Sequence, residues 1–454
     1  MVRVVLCGTH PSQYNGYSKV VYELSKYLGK CSDVDLTVFA FQNFYDRDEH
    51  HVERQLPPTV KVYDVCKFEN PKNKGFGEAL IVPFLQEVDP DIVIVYNDLV
   101  IITTLLERIK KEIPTHRFKI VPYIDIVYPN ERNSMILRIN DMVDGGIMFT
   151  DYWRRIIVDQ GFTKPLHVLE HGFDSTQHYP VPKSLARTFF GIPEEDFVIV
   201  NLNRNQPRKR WDICVMVFVK LLSMNRDKHL KLLIATSLNG SWDLVDVFVS
   251  EGRKYGLTFD DIKRHLIIMQ NPQQLTDFDV NVMYNVADVG INTCDGEGFG
   301  MCNFEQACVG VPQVVPFLGG FRDFFTPENS ITIDPKWSIY CDHARELVSG
   351  EAQICAVDDY VEALQFMMDH PEARAALGAR ARADLTGKYK WEDQGRKLHD
   401  VVTQTFRTME APPALFEEVL DETPVAEDAP QVDVDNMSSA ELREFVRSMM
   451  SKGR

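Results

Sequence analysis

Two glutamates, Glu297 and Glu305, are separated by seven residues, and Gly296, Gly298 and Gly300 surround the first of them. Three glycines in five positions let a backbone approach a ligand closely and take φ values that a side chain forbids. A strand, a glycine loop and a helix N-terminus in succession make a place for a phosphate, because unpaired N–H groups and the helix dipole both point at the anion. The same loop can be only a tight strand-to-helix turn. A carboxylate is not a phosphate ligand, so Glu297 and Glu305 point to sugar or ribose hydroxyls. The plainer alternative for Glu305 is that it complements the helix dipole. A basic run, Arg204, Arg208, Lys209 and Arg210, follows the strand expected over 197–201. Charge clusters are usually solvated turns, but the carboxyl end of a first strand is where doubly wound sheets bind ligands. Asp125 ends an expected strand in the same way. It either accepts a sugar hydroxyl, sits against an acceptor, or caps the strand end.

The run Glu297-Gly298-Phe299-Gly300-x4-Glu305-x4-Gly310-x-Pro312 resembles the E-x7-E signature of retaining, nucleotide-sugar-dependent glycosyltransferases of the GT-B fold, family 4 type. The resemblance covers roughly residues 1–408. It implies that Glu297 contacts the donor hexose, that the amides of Gly298, Phe299 and Gly300 hold its diphosphate, and that Glu305 binds the nucleotide ribose. Arg204 and Lys209 match the family's Arg-x4-Lys, which grips the diphosphate. Gly16 and Ser18 match small residues near the donor phosphates, although the paired glycines of many members are here Asn15-Gly16. Gln270 and Asn271 fall where the family borders the nucleobase. Asp125 stands where many members have a histidine close to the hexose. Gly319-Gly320 matches a turn that lines the site, and His171-Gly172-Phe173-Asp174 matches the turn that ends the first domain.

These residues need a scaffold. Expected strands over 2–6, 35–39, 60–65, 92–96, 118–124 and 145–149 alternate with helical patterns, which argues for a parallel sheet with helices on both faces. After 2–6 comes an amphipathic helix with Val20, Val21, Leu24, Tyr27 and Leu28 on one face. Gly8 and Gly16 do not form G-x-G-x-x-G, so a nicotinamide-binding domain is disfavoured. Strands recur over 197–201, 230–235, 266–269, 288–293 and 313–315. A helix is expected from Met301 with Met301, Phe304, Ala307 and Cys308 on its apolar face, stopped by Gly310 and Pro312. Asp89-Pro90-Asp91 and Asp277-Phe278-Asp279 imitate a D-x-D metal motif. The first is read as a turn and the second as the start of a helix, where acids are favoured.

The chain of 454 residues is too long for a single core, and its 44% hydrophobic and 25% charged content is that of a globular enzyme. A net charge of -17 argues against nucleic acid as the main partner. Nine scattered cysteines, with no C-x-x-C pair, indicate neither a zinc framework nor disulfides, and an intracellular compartment is the default. No apolar run reaches membrane-spanning length.

The expected architecture is α/β of GT-B type, two Rossmann-like doubly wound domains facing a central cleft. The divisions are 1–172 on the acceptor side, a linker at 173–195, and a nucleotide-sugar domain at 196–390. A helix over 391–408 crosses back to the first domain. An acidic disordered stretch at 409–437 follows, then a short amphipathic helix at 438–454 that docks on its own body, on a partner or on a second copy. The expected function is transfer of a hexose from a nucleoside diphosphate sugar to a glycan, lipid-linked or other hydroxyl acceptor. No metal or cofactor is called for, and the cytoplasm is the expected location. Residues 105–119 leave peripheral membrane contact open against an ordinary surface helix. The rival readings are a sugar-nucleotide epimerase, a phosphorylase, or a silent scaffold acting through the terminal helix.

Overall fold

A computed structural model describes residues 1–44, 54–70, 72–269, 275–342 and 349–410. Gln270, Asn271, the 438–454 helix and all but the first two residues of the 409–437 stretch lie outside the described residues.

Two parallel sheets organise the chain. The first contains β1 (Val2–Thr9), β2 (Val34–Phe41), β3 (Lys61–Asp64), β4 (Ile92–Asp98), β5 (Lys119–Ile120), β6 (Tyr123–Asp125), β7 (Gly146–Met148) and β8 (Leu166–Val168). Its order is β3-β2-β1-β4-β6-β7-β8, with β5 beside β4. The second runs β11-β10-β9-β12-β13-β14. Its strands are β9 (Phe197–Asn201), β10 (Leu230–Ile234), β11 (Leu266–Ile268), β12 (Val289–Ile291), β13 (Gln313–Pro316) and β14 (Ile331–Ile333). Helices cover both faces, which is why β1 and β4 read as unbroken apolar runs and are buried throughout Val4–Cys7 and Ile92–Tyr96. The strand expected over 118–124 is two. Lys119–Ile120 and Tyr123–Asp125 both pair with β4 in parallel, with Pro122 between them. Strand order reverses at β1/β4 and at β9/β12. Each reversal opens a crevice at the carboxyl ends of the strands, where doubly wound sheets take ligands.

The lobes share a hydrophobic core. A continuous buried cluster runs from Val4, Leu6 and Val93 through Trp153 to Phe299, Phe304 and Leu398. His171 sits inside it, with rings of Phe299 at 4.5 Å, Phe149 at 5.2 Å and Trp391 at 5.8 Å. The 171–174 segment is therefore more than a turn. Burial holds the His171 imidazole neutral, its pKa pushed down to about 3. The segment expected as an open linker contains a helix, Lys183–Phe190, whose buried Arg187 donates to Asp288 at 2.6 Å and to Glu194 O at 2.6 Å.

The helix Trp391–Glu410 does cross back to the first lobe. It packs on the helix Gly16–Leu28 so closely that a Cβ on Gly395 would lie 2.1 Å from the Tyr27 ring. In the helix Leu99–Glu112, the apolar Leu105, Leu106 and Ile109 are fully buried against the sheet and Lys110 and Lys111 are exposed. That is the pattern of an ordinary surface helix. Among the described residues, no helix is long and apolar enough to cross a membrane. A hairpin that the sequence reading missed, β15 (Trp337–Cys341) and β16 (Gly350–Ile354), reaches the first lobe. Its Cys341 and Ala352 pack on Val127 and Tyr128, and Glu351 N donates to Pro129 O at 2.8 Å.

The outgoing and returning passages between lobes touch at Gly172, where a Cβ would fall 2.3 Å from Trp391 N. Gly172→Ala is expected to cost about 1–3 kcal/mol in chemical denaturation. Gly387→Ala, in a helix with open space around it, should cost nothing or stabilise slightly.

Candidate functional site

The carboxyl ends of β1, β4, β6, β9 and β12 all deliver residues to the cleft between the lobes. After β12, Asn292 begins a buried amide chain: Asn292 to Asn303 at 2.8 Å, and Asn303 to Gln313 at 2.9 Å. These bonds fix the loop against the helix Met301–Cys308. Gly300 starts that helix at φ +86°, a region that favours glycine, and a Cβ on Gly298 would lie 2.6 Å from Asp125 Oδ1. Among the described residues no side chain caps the helix, and its first turn holds no acid. Its N–H groups and dipole are thus left for an anion. Across the cleft the helix Gly16–Leu28 begins at Gly16, where a Cβ would lie 3.7 Å from Met301 Sδ. The first turns of two helices, one from each lobe, meet here.

Glu297 is buried at 5% exposure and ion-pairs with Lys209, with Arg208 at 3.6 Å. Burial pushes its carboxyl upward, but the charges of Lys209 and Arg208 outweigh that and hold it below the usual range. Lys209 is held in place because its loop is pinned: Thr293 Oγ1 donates to Arg210 O at 3.0 Å and Asp295 N to Arg208 O at 2.9 Å. Arg204 makes no side-chain hydrogen bond or ion pair among the described residues and is exposed. Desolvation first, then Arg208, lowers its pKa against the raising effect of Tyr17, Cys302 and Glu297. Of the basic run, Lys209 and Arg208 reach Glu297 in the glycine loop.

Glu305 is buried at 4% exposure in a network from both lobes. Lys19 donates to it at 2.8 Å and Tyr284 at 2.8 Å. His178 Nε2 lies 2.7 Å from Lys19 Nζ, and burial first, then Lys19, lowers its pKa to about 4. His178 is thus neutral and accepts from Lys19; its 3.3 Å approach to Glu305 is not an ion pair. Burial alone would lower the Lys19 pKa, but Glu305 and Asp277 reverse this and raise it. Asp277 in turn receives Arg54 through Nε and Nη2, both at 2.9 Å. Burial works against its ionisation, and Lys19 and Arg54 outweigh it, holding the carboxyl well below the usual range. Arg54 also donates to Gln13 O at 2.7 Å and Ser18 Oγ at 2.8 Å. Asp277 thus does more than favour a helix start, whereas Asp279 fulfils that reading by capping Thr276 N at 3.0 Å.

Ser18, expected beside donor phosphates, is fully buried; its hydroxyl donates to Gln13 O and Asn15 O within its own loop. It supports the loop around Gly16 and is not a side-chain contact. The Phe299 ring also turns into the core, on His171, Phe324 and Phe304, which leaves only its backbone to the loop. Gly319 and Gly320 pass beneath that backbone, and Gly320 N donates to Glu297 O at 3.3 Å. Asp125 accepts from Tyr17 at 2.5 Å, while its buried Oδ1 has no hydrogen-bond partner among the described residues. Burial raises its pKa to about 6 against the lowering effect of Tyr17. Asp89 and Asp91 lie at the amino end of β4, away from the cleft, and both pair with Arg3. Lys19, Arg54 and Tyr17 escaped sequence reasoning. Only the meeting of segments more than 100 residues apart reveals them, as in Lys19–Glu305.

Several proteins resemble this chain. A D-inositol 3-phosphate glycosyltransferase of Corynebacterium kroppenstedtii is 25% identical over 284 residues, 62% of this chain and 57% of that protein. A GDP-mannose-dependent monoacylated α-(1-6)-phosphatidylinositol monomannoside mannosyltransferase of Corynebacterium glutamicum is 22% identical over 49% of this chain and 51% of its own. The chain spans about half the length of the curated relatives it matches. No protein-family model matches it. Among solved structures, sucrose-phosphate synthase of Thermosynechococcus elongatus superimposes with TM-score 0.67 at 13% identity, over 90% of this chain and 100% of that one. Anabaena HepE, solved with UDP and glucose, gives 0.65 at 14% identity over 89% and 100%. The fold is GT-B.

Lys19→Met should leave Glu305 buried without its cation and cost about 3–5 kcal/mol in chemical denaturation. Adding Glu305→Gln to Lys19→Met should recover much of that loss, since the pair is then removed together. Asp125 has a second consequence. A carboxyl whose folded pKa is raised favours the folded state when protonated, so its contribution falls as pH rises from about 4 through about 6. Asp125→Asn should therefore be more stable than the unsubstituted protein in chemical denaturation at pH 8, by at most about 3 kcal/mol, with the gap closing toward pH 4.

Proposed function

We propose that this protein transfers a hexose from a nucleoside diphosphate sugar to a hydroxyl acceptor, a glycan or lipid-linked molecule, with retention at the anomeric carbon and without a metal. The observation that carries this reading is the convergence of Arg204, Lys209 and the uncapped N-terminus of the helix Met301–Cys308 beside two buried carboxylates. The cations and N–H groups fit a diphosphate, and the carboxylates fit the sugars on either side of it. The relatives named above as glycosyltransferases, and a GT-B neighbour solved with UDP and glucose, support the same reading.

In the proposed reaction, the bond from the anomeric carbon to the phosphate oxygen breaks with its electron pair passing to the phosphate. Arg204, Lys209 and the loop amides stabilise that charge as it develops. The acceptor oxygen bonds to the same face of the sugar, and its proton goes to the departing phosphate oxygen. Glu297 receives hexose hydroxyls near the carbon where positive charge grows. Glu305 takes the ribose hydroxyls. Asp125, through an Oδ1 without a partner among the described residues, accepts a hydrogen bond from a hexose hydroxyl. The Arg204 and Lys209 charges do the work a divalent cation does elsewhere, since Asp89 and Asp91 are spent on Arg3, Asp277 on Arg54 and Asp279 on the Thr276 amide.

The two glutamates should separate in calorimetry and kinetics. Glu305→Gln should weaken both the bare nucleoside diphosphate and the nucleotide sugar. Glu297→Gln should lower turnover by about 100-fold or more while nucleoside diphosphate binds equally or more tightly, because Lys209 loses its competitor. If neither variant changes binding or rate, the carboxylates are structural. Turnover should also survive EDTA; activity lost to chelation and restored only by manganese or magnesium would remove the metal-free part of the proposal.

A further inference from the structure

The edge of the molecule opposite the cleft carries three donor side chains from two elements. Cys31 and Asp33 flank the turn that enters β2, and His399 comes from the crossing helix Trp391–Glu410. The Cys31 Sγ, a carboxylate oxygen of Asp33 and an imidazole nitrogen of His399 all lie within 4.8 Å of one another. We propose that this trio is a binding site for a zinc-class divalent cation, which ties the crossing helix to the first lobe.

A thiolate with an imidazole selects borderline-soft ions such as zinc over magnesium or calcium, which prefer oxygen alone. Three protein ligands plus one water complete a tetrahedron. Bond lengths of about 2.0–2.3 Å place tetrahedral ligands roughly 3.5 Å apart, so the trio closes on an ion by small side-chain rotations. The backbones beneath are already fixed. Val2 N donates to Asp33 O at 2.7 Å, Val34 N to Cys31 O at 3.2 Å, and Leu398, next to His399, is fully buried. His399 Nε2 lies 3.0 Å from both carboxylate oxygens of Asp33, a contact that metal ligation replaces. Among the described residues Cys31 makes only a long contact from its thiol to Tyr27 O at 3.7 Å, which is given up when the thiol proton leaves. Asp33 precedes β2, at the amino edge of the sheet, whereas the donor residues follow the carboxyl ends of strands. The site is therefore separate from the proposed transfer and does not rest on that reading.

The test uses the full chain stripped with a chelator, then zinc alone and cobalt alone as probes. Stripped protein should take up one equivalent of zinc and melt roughly 2–4 °C higher with the ion in excess. Cobalt should give a thiolate charge-transfer absorption in the near ultraviolet. Cys31→Ser should lose that absorption and His399→Gln should lose the zinc-dependent melting shift, while both stripped variants melt with the stripped parent. Uptake of less than a stoichiometric amount, or uptake and absorption unchanged in both variants, overturns the proposal; the latter would place the ion on other cysteines. Should either variant fail to fold, the cobalt absorption of the unsubstituted chain decides, since its absence excludes a thiolate ligand.

Discussion

Two carboxylates on one short stretch are almost wholly withdrawn from water, and each remains charged because a cation from elsewhere faces it. Lys209 serves Glu297 and Lys19 serves Glu305. A buried unpaired carboxylate costs several kcal/mol, so this pairing constrains everything nearby. The loop after β9 must bring Lys209 to the glycine loop, and the first helix of the opposite lobe must bring Lys19 across the cleft. Asp277 and Arg54 extend the same constraint, with Arg54 holding the Gly16 loop through Gln13 and Ser18. The lobes are thus joined at the cleft by charge and behind it by the shared core around His171.

That arrangement bears on how a ligand would enter. Glu305 spends its oxygens on Lys19 and Tyr284, so ribose hydroxyls would have to share or displace the lysine. Glu297 likewise gives up Lys209 if a diphosphate claims it. In the proposed reading the donor does not fill a preformed hole. It exchanges internal ion pairs for its own, which couples donor binding to the contact between lobes. Asp125 is the exception, since among the described residues one of its oxygens already lacks a partner, and burial raises its pKa to about 6.

What the sequence made legible follows from local chemistry. The stretch from Glu297 to Pro312 announced itself because glycines, helix period and a proline stop act within a few residues of one another, and the helix does begin at Met301. The buried strands β1, β4 and β9 were legible as apolar runs. The short β8 and β14 and the hairpin β15–β16 were not, since Leu166–Val168 is half-buried, Trp337–Tyr340 is exposed, and neither carries a clear alternation. Arg54 could not be found because its meaning is its distance from Asp277 in three dimensions, across 223 positions of chain. Ser18 and Phe299 lay at the expected places but turn inward, a matter of packing that spacing does not encode.

The central claim is that the cleft is a donor diphosphate site, and a crystal structure with a nucleoside diphosphate bound tests it most directly. The account predicts both phosphates within hydrogen-bond reach of the amides at Gly298 to Met301 and of the Arg204 and Lys209 side chains, with the ribose on Glu305. A nucleotide bound elsewhere, with Lys209 still on Glu297 and Lys19 still on Glu305, would contradict it.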